Sequence, residues 1–155
     1  MAMDTPSIDI KSDLLELARH KLQLQLEDIQ KQLADLKSSS QEEGKSSAGD
    51  KYETQREMIK QSGDILDVQL SRVRSMIHQL ENIPCRVSTY VEEGAVVKLS
   101  FGIIWISVSL GKIVHEEKEY QLISKDSPLF LSIKGLKTGE CILFRGKKLI
   151  VEEVV

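Results

Sequence analysis

The side chains best suited to chemistry crowd into one short stretch, SSSQEEGKSSAGDKYETQRE, residues 38–57. Glu42, Glu43, Asp50 and Glu53 supply four of its five carboxylates, and Lys45 and Lys51 sit among them. Serines together with Gly44 and Gly49 interrupt the helical periodicity on either side. If the flanking helices pack antiparallel, this stretch lies at the far end of a rod and holds a charged tip away from any core. The plainer reading is a solvated helix–helix connection. Elsewhere the reactive residue types are scattered. His20, His78 and His115 stand alone, and Cys85 and Cys141 form no Cys-x-x-Cys pair, so they read as two buried or idle thiols. The sequence shows no metal-ligand cluster and no nucleophile–base pair.

Two helical patterns must position the tip. Ser12 reads as an N-cap, with Asp13 in the first turn suiting the helix dipole. Leu15, Ala18, Leu22, Leu26, Ile29, Leu33 and Leu36 then recur at steps of three and four, while Leu14, Leu17 and Leu24 widen the stripe. This predicts a helix of about 25 residues, ~38 Å long. A second stripe, Ile59, Ser62, Leu66, Leu70, Val73, Ile77 and Leu80, starts after Asp50 and ends before Pro84. Matching stripes joined by a polar loop predict an antiparallel coiled-coil hairpin over residues 1–83, with its tip loop at 38–50. Dimerisation of the stripe in trans is the competing arrangement.

After Pro84 the period changes to two. Residues 86–91, 95–101, 103–110, 119–123, 141–145 and 149–154 read as strands, with glycines between them. One helical signal interrupts them at 126–135, where Ser127 would cap, Pro128 suits the first helical position and Gly135 the C-terminal cap. Residues 84–155 thus read as a small antiparallel β-domain with one short helix, and the fold class is α+β. Trp105, Phe101 and Phe144 lie in apolar runs and read as core.

Composition bounds the function. The chain has 155 residues, 29% charged, with a net charge of −3, unlike a basic nucleic-acid binder. No run approaches the ~18 apolar residues of a membrane span. The start MAMDTPSIDIKSD is polar and lacks the regions of a signal peptide, so a cytoplasmic location is expected.

The order of long helical hairpin, charged tip and small β-domain with a Ser-Pro-led helix resembles the bacterial Gre transcript-cleavage factors, with this chain a divergent Gre-like member. Gly44, Tyr52, Arg56 and Glu57 fall on the tip pattern G-D-x-x-E-N-x-E-Y followed by R-E. GAVVKL (94–99) and EYQLISKDSPLFLSIKGLKTGE (119–140) resemble a strand and a Ser-Pro segment of the family's C-terminal domain, with Leu136 where Lys is usual. The resemblance implies an FKBP-like β-domain that docks on RNA polymerase through Ser127, Pro128, Leu129 and Gly135. It also implies a coiled coil that enters the polymerase's secondary channel and meets the nucleic acid of the elongation complex only indirectly. Cleaving members use two tip carboxylates to hold a second Mg²⁺, a hard ion that takes oxygen ligands, about 4 Å from the first. Here the family's Asp falls on Lys45, its Glu on Ala48 and its Asn on Gly49. The cleaving pair is out of register, and Asp50 is the nearest candidate for a shared Mg²⁺ ligand. The expectations are no cofactor beyond such a shared Mg²⁺, no membrane, a monomer and no enzyme activity of its own. Two other readings stay open. A coiled-coil chaperone or assembly protein would form oligomers and carry an apolar tip. A peptidyl-prolyl isomerase would need an aromatic-lined pocket, for which 5% aromatic residues is thin material.

Overall fold

In the computed structural model, described here for residues 8–43 and 49–155 and for the side chains of 10–38 and 53–155, two long helices precede a six-stranded sheet and a short helix. The elements are α1 (Ile8–Glu43), α2 (Gly49–Glu81), β1 (Val96–Leu99), β2 (Gly102–Ser107), β3 (Gly111–His115), β4 (Lys118–Ser124), α3 (Pro128–Ile133), β5 (Cys141–Phe144) and β6 (Lys147–Val154). Cα packing divides the chain into two compact units, His20–Ile77 and a second made of Met1–Arg19 with His78–Val155.

The helices are longer than the sequence suggests. α1 has 36 residues rather than about 25, because it begins before Ser12 and runs through the serines to Glu43. Ser12 is thus an exposed interior position and not a cap. α2 resumes at Gly49, so most of the expected loop 38–50 is helical and only 44–48 separates the helices. Serine is a middling helix former, and three in a row do not stop a helix that already has a nucleus. In the His20–Ile77 unit the two helices lie side by side. Leu22, Ile29, Leu66 and Val73 are buried on the facing stripes, and Leu36, Ser62 and Leu66 line a groove between them. Leu24, read as widening the first stripe, is exposed, and so are Met58 and Ile65 on α2.

The sheet has the order β3-β4-β2-β1-β6-β5. All neighbours are antiparallel except β2 and β4, which run parallel with Ile103 opposite Tyr120. The sheet is thus mostly antiparallel, as the sequence suggests, and its one parallel pair is the feature the sequence did not reveal. The cause is β3, hidden in the sequence because its two-residue turn to β4 is Glu116-Glu117, both at positive φ (50° and 66°), without the usual glycine or asparagine. β3 carries the chain back, so β4 enters beside β2 in the same direction.

Residues 86–91 form no strand. Val91 spends its backbone groups on the end of α3 instead, accepting from Gly135 N (2.8 Å) and donating to Leu136 O (2.8 Å). One sheet face carries the core of Val97, Leu99, Ile104, Ile106 and Val151, onto which α3 sets Phe130 and Ile133. Burying each such side chain contributes about 1.5–3 kcal/mol. The other face buries Val96, Trp105, Tyr120 and Leu122; Leu14, Ala18 and Leu80, from the helix ends that belong to this unit, are buried as well. Phe101 departs from its reading as core. It occupies the two-residue turn between β1 and β2 and is 57% exposed, whereas Trp105 is 1% exposed. Cys85 and Cys141 are free but exposed, not buried.

Candidate functional site

The expected site has two parts, a tip on the helices and a docking helix on the sheet. At the tip, Glu42 and Glu43 end α1 and Asp50 lies in the first turn of α2, but their side chains are outside the described residues. Lys45 and Ala48 are themselves outside the described residues. Glu53 is exposed. Among the described residues no group of His, Cys, Asp or Glu is placed to hold a metal ion, and no helix is long and apolar enough to cross a membrane.

The expected docking segment lies wholly within the described residues. Leaving β4, Ser124 Oγ accepts from Asp126 N (3.2 Å) and Ser124 O accepts from Ser127 N (3.0 Å), which folds the chain into a tight turn. Ser127 holds the N-cap position with extended backbone, and its carbonyl accepts the first helical bond from Leu131 N (3.0 Å). Its side chain makes no capping bond, contrary to the sequence reading. Pro128 supplies the first helical residue, where its missing N–H costs nothing. Gly135 follows the helix at φ 84°, a left-handed position that suits glycine.

The four expected docking residues do not share one recess. Leu129 lines a groove of about 470 Å³ together with Phe101, Phe144, Arg145, Lys147 and Lys148. Gly135 lines another, of about 490 Å³, with Tyr90, Glu93, Lys125, Asp126 and Leu131. Ser127 and Pro128 line neither. The cations of the first groove were missed in the sequence because Phe144 was read as core. The usable signal was the run Phe144-Arg145-Gly146-Lys147-Lys148, a hairpin turn flanked by strand residues.

A buried polar cluster anchors the loop that leads into β1. Lys11, only 2% exposed, donates through Nζ to the Arg86 carbonyl and to Ser88 Oγ (3.4 Å). Ser88 Oγ in turn donates to Glu92 Oε1 (2.9 Å), and Arg86 Nη2 lies 3.5 Å from Glu92 Oε2. Burial pushes the Lys11 ammonium below its usual pKa, since desolvation disfavours the charged form. A hydrogen bond from the Tyr90 hydroxyl, helped by Ser88 and Arg86, holds the Glu92 carboxyl below its usual value. His115 Nε2 adds a second tie, 3.3 Å from Asp13 Oδ2 on α1. These contacts join the first turns of α1 to the sheet within one compact unit. They hold structure and present no open site.

No family model matches the chain, and no curated protein matches it significantly. Two solved structures align along most of its length. One is described as the transcription factor Gfh1; it is 16% identical, the alignment covers 89% of this chain and 93% of that one, and the TM-score is 0.37. The other is described as GreA factor homolog 1 (Gfh1) protein of Thermus thermophilus; it is 20% identical, with 88% and 94% covered and a TM-score of 0.33.

Proposed function

We propose that this chain is an RNA polymerase-binding regulator of transcription elongation. Its helical pair enters the polymerase's secondary channel while the sheet unit docks outside. The observation that carries the reading is where the Gre-resembling segments fall. GAVVKL forms the Gly94 turn and β1, and the segment 119–140 runs through β4, α3 and the turn before β5. Separated in sequence, β1 and β4 flank the same strand, β2, in one sheet. The helical pair supplies the second requirement, because the stretch of α1 beyond Arg19 spans ~36 Å at 1.5 Å per residue.

On this reading the protein has no catalysis and no resident cofactor of its own. It acts as a cytoplasmic monomer and touches nucleic acid only indirectly. With Lys45 and Ala48 at the family's carboxylate positions, its effect is to occupy the channel rather than to stimulate RNA cleavage. Of the tip carboxylates, Asp50 is the nearest candidate to share a Mg²⁺ with the polymerase. The test is binding of the labelled full-length chain to purified core RNA polymerase. Saturable binding with a Kd on the order of 1 µM or tighter is expected. No saturation at tens of µM would refute the reading.

A further inference from the structure

We propose that the groove between the β1–β2 turn, α3 and the β5–β6 turn seats an acidic segment of the polymerase that carries an apolar anchor residue. This rests on the polymerase reading above and adds the place and chemistry of contact. The floor of the groove is apolar: Phe101 at its turn, Leu129 on α3, Phe144 on β5 and Leu149 on β6. Its rim is basic, with Arg145, Lys147 and Lys148 within four consecutive positions. The three segments that build it, 98–103, 128–136 and 141–149, contain no Asp or Glu. That is a marked local bias in a chain whose 24 acidic residues outnumber its 21 basic ones.

None of the three rim cations has an ion pair among the described residues. The neighbouring 490 Å³ groove is the internal contrast. It mixes Glu92, Glu93 and Asp126 with Lys125 and Lys134, and Lys125 Nζ lies 3.7 Å from Glu93 Oε2. Lys125 there has a partner of opposite sign, whereas the three cations of the Phe101 groove have none among the described residues. Complementary charge across an interface favours an acidic occupant and repels a basic one.

The rim is also preorganised. Arg145 and Gly146 make the β5–β6 turn with both φ positive (51° and 80°), and the Arg145 guanidinium lies over the Phe144 ring, 5.1 Å from its centroid. A fixed cation beside an apolar recess suits a carboxylate adjacent to a buried leucine or aromatic side chain. Single-stranded nucleic acid fits less well. Stacking needs free ring faces, and Arg145 covers one face of Phe144, while Leu129 and Leu149 offer nothing to phosphates.

The experiment measures binding of the full-length chain to core polymerase across ionic strength, with melting curves confirming that each variant is folded. The double variant Arg145→Glu, Lys148→Glu should lose at least tenfold in affinity at ~0.1 M salt, and the loss should shrink as salt screens the charges. Phe101→Ala should lose about fivefold at every salt concentration, since its contact is apolar. Wild-type binding with both variants within twofold of it would overturn the groove while leaving the polymerase reading intact. No wild-type binding would overturn both, and is a distinct result. A labelled 20-nucleotide single-stranded RNA is the second probe. RNA binding by the wild type that the variants lose, with polymerase binding unchanged, would make this a nucleic-acid groove and overturn the proposal.

Discussion

Gly94→Ala is expected to destabilise the sheet unit by about 3 kcal/mol or more, combining a strained backbone with a hard clash. Gly94 is the third residue of a turn closed by the bond from Ala95 N to Glu92 O (3.0 Å), and its φ is 91°. Type II turns place glycine there because L side chains resist positive φ. A Cβ at this position would also lie 2.5 Å from the Pro84 carbonyl oxygen, a backbone atom that cannot swing aside. Nor can Gly94 retreat, since its N–H donates to Ile106 O at 2.7 Å. Gly135→Ala is the control. That residue also has positive φ (84°), but nothing lies within 4 Å of its would-be Cβ. Its cost should be only the backbone term, about 1–2 kcal/mol. In thermal melts Gly94→Ala should lower Tm by roughly 6–12 °C and Gly135→Ala by roughly half that or less. Equal shifts would show that the Pro84 contact is not rigid.

The second large effect is expected at the tip. Lys45→Asp combined with Ala48→Glu should convert a channel occupant into a factor that stimulates RNA cleavage in backtracked complexes. The change replaces an ammonium, which repels Mg²⁺, and a methyl, which cannot ligate it, with two hard oxygen donors. A second ion so held would orient water for in-line attack beside the polymerase's own metal. An increase of at least tenfold in cleavage rate over wild type is expected, equivalent to about 1.4 kcal/mol of transition-state stabilisation. Cleavage of labelled RNA in stalled complexes measures it, with Asp50→Ala as a further arm. Strong wild-type cleavage that disappears in Asp50→Ala would instead make Asp50 the working ligand.

Much of the fold was legible in the sequence, for identifiable reasons. Leu22, Ile29, Leu66 and Val73 repeat at helical spacing, and burial falls on them. The helix at 128–133 was readable because Pro128 and Gly135 bracket it with conformations other residues adopt less easily. The failures share a cause: local signals overridden by contacts distant in sequence. Arg86–Val91 has strand composition, yet Lys11 and the end of α3 take its polar groups. Lys11 itself gave no sign of being buried, since its partners lie 75 and 77 residues away. Phe101 reads as core by type, but a two-residue turn leaves it outside. Of the candidate site, α3 was legible in the sequence; the basic groove depends on three segments meeting and could be seen only once they were folded.

A photo-crosslinking residue in place of Glu53, the exposed tip-side position on α2, tests channel entry most directly when the full-length chain is bound to core polymerase. The account predicts crosslinks to polymerase segments lining the secondary channel near the active site, suppressed by an established channel-binding factor in excess. Binding that yields no crosslink from this position, or crosslinks only to the outer surface that the competitor does not suppress, would contradict it.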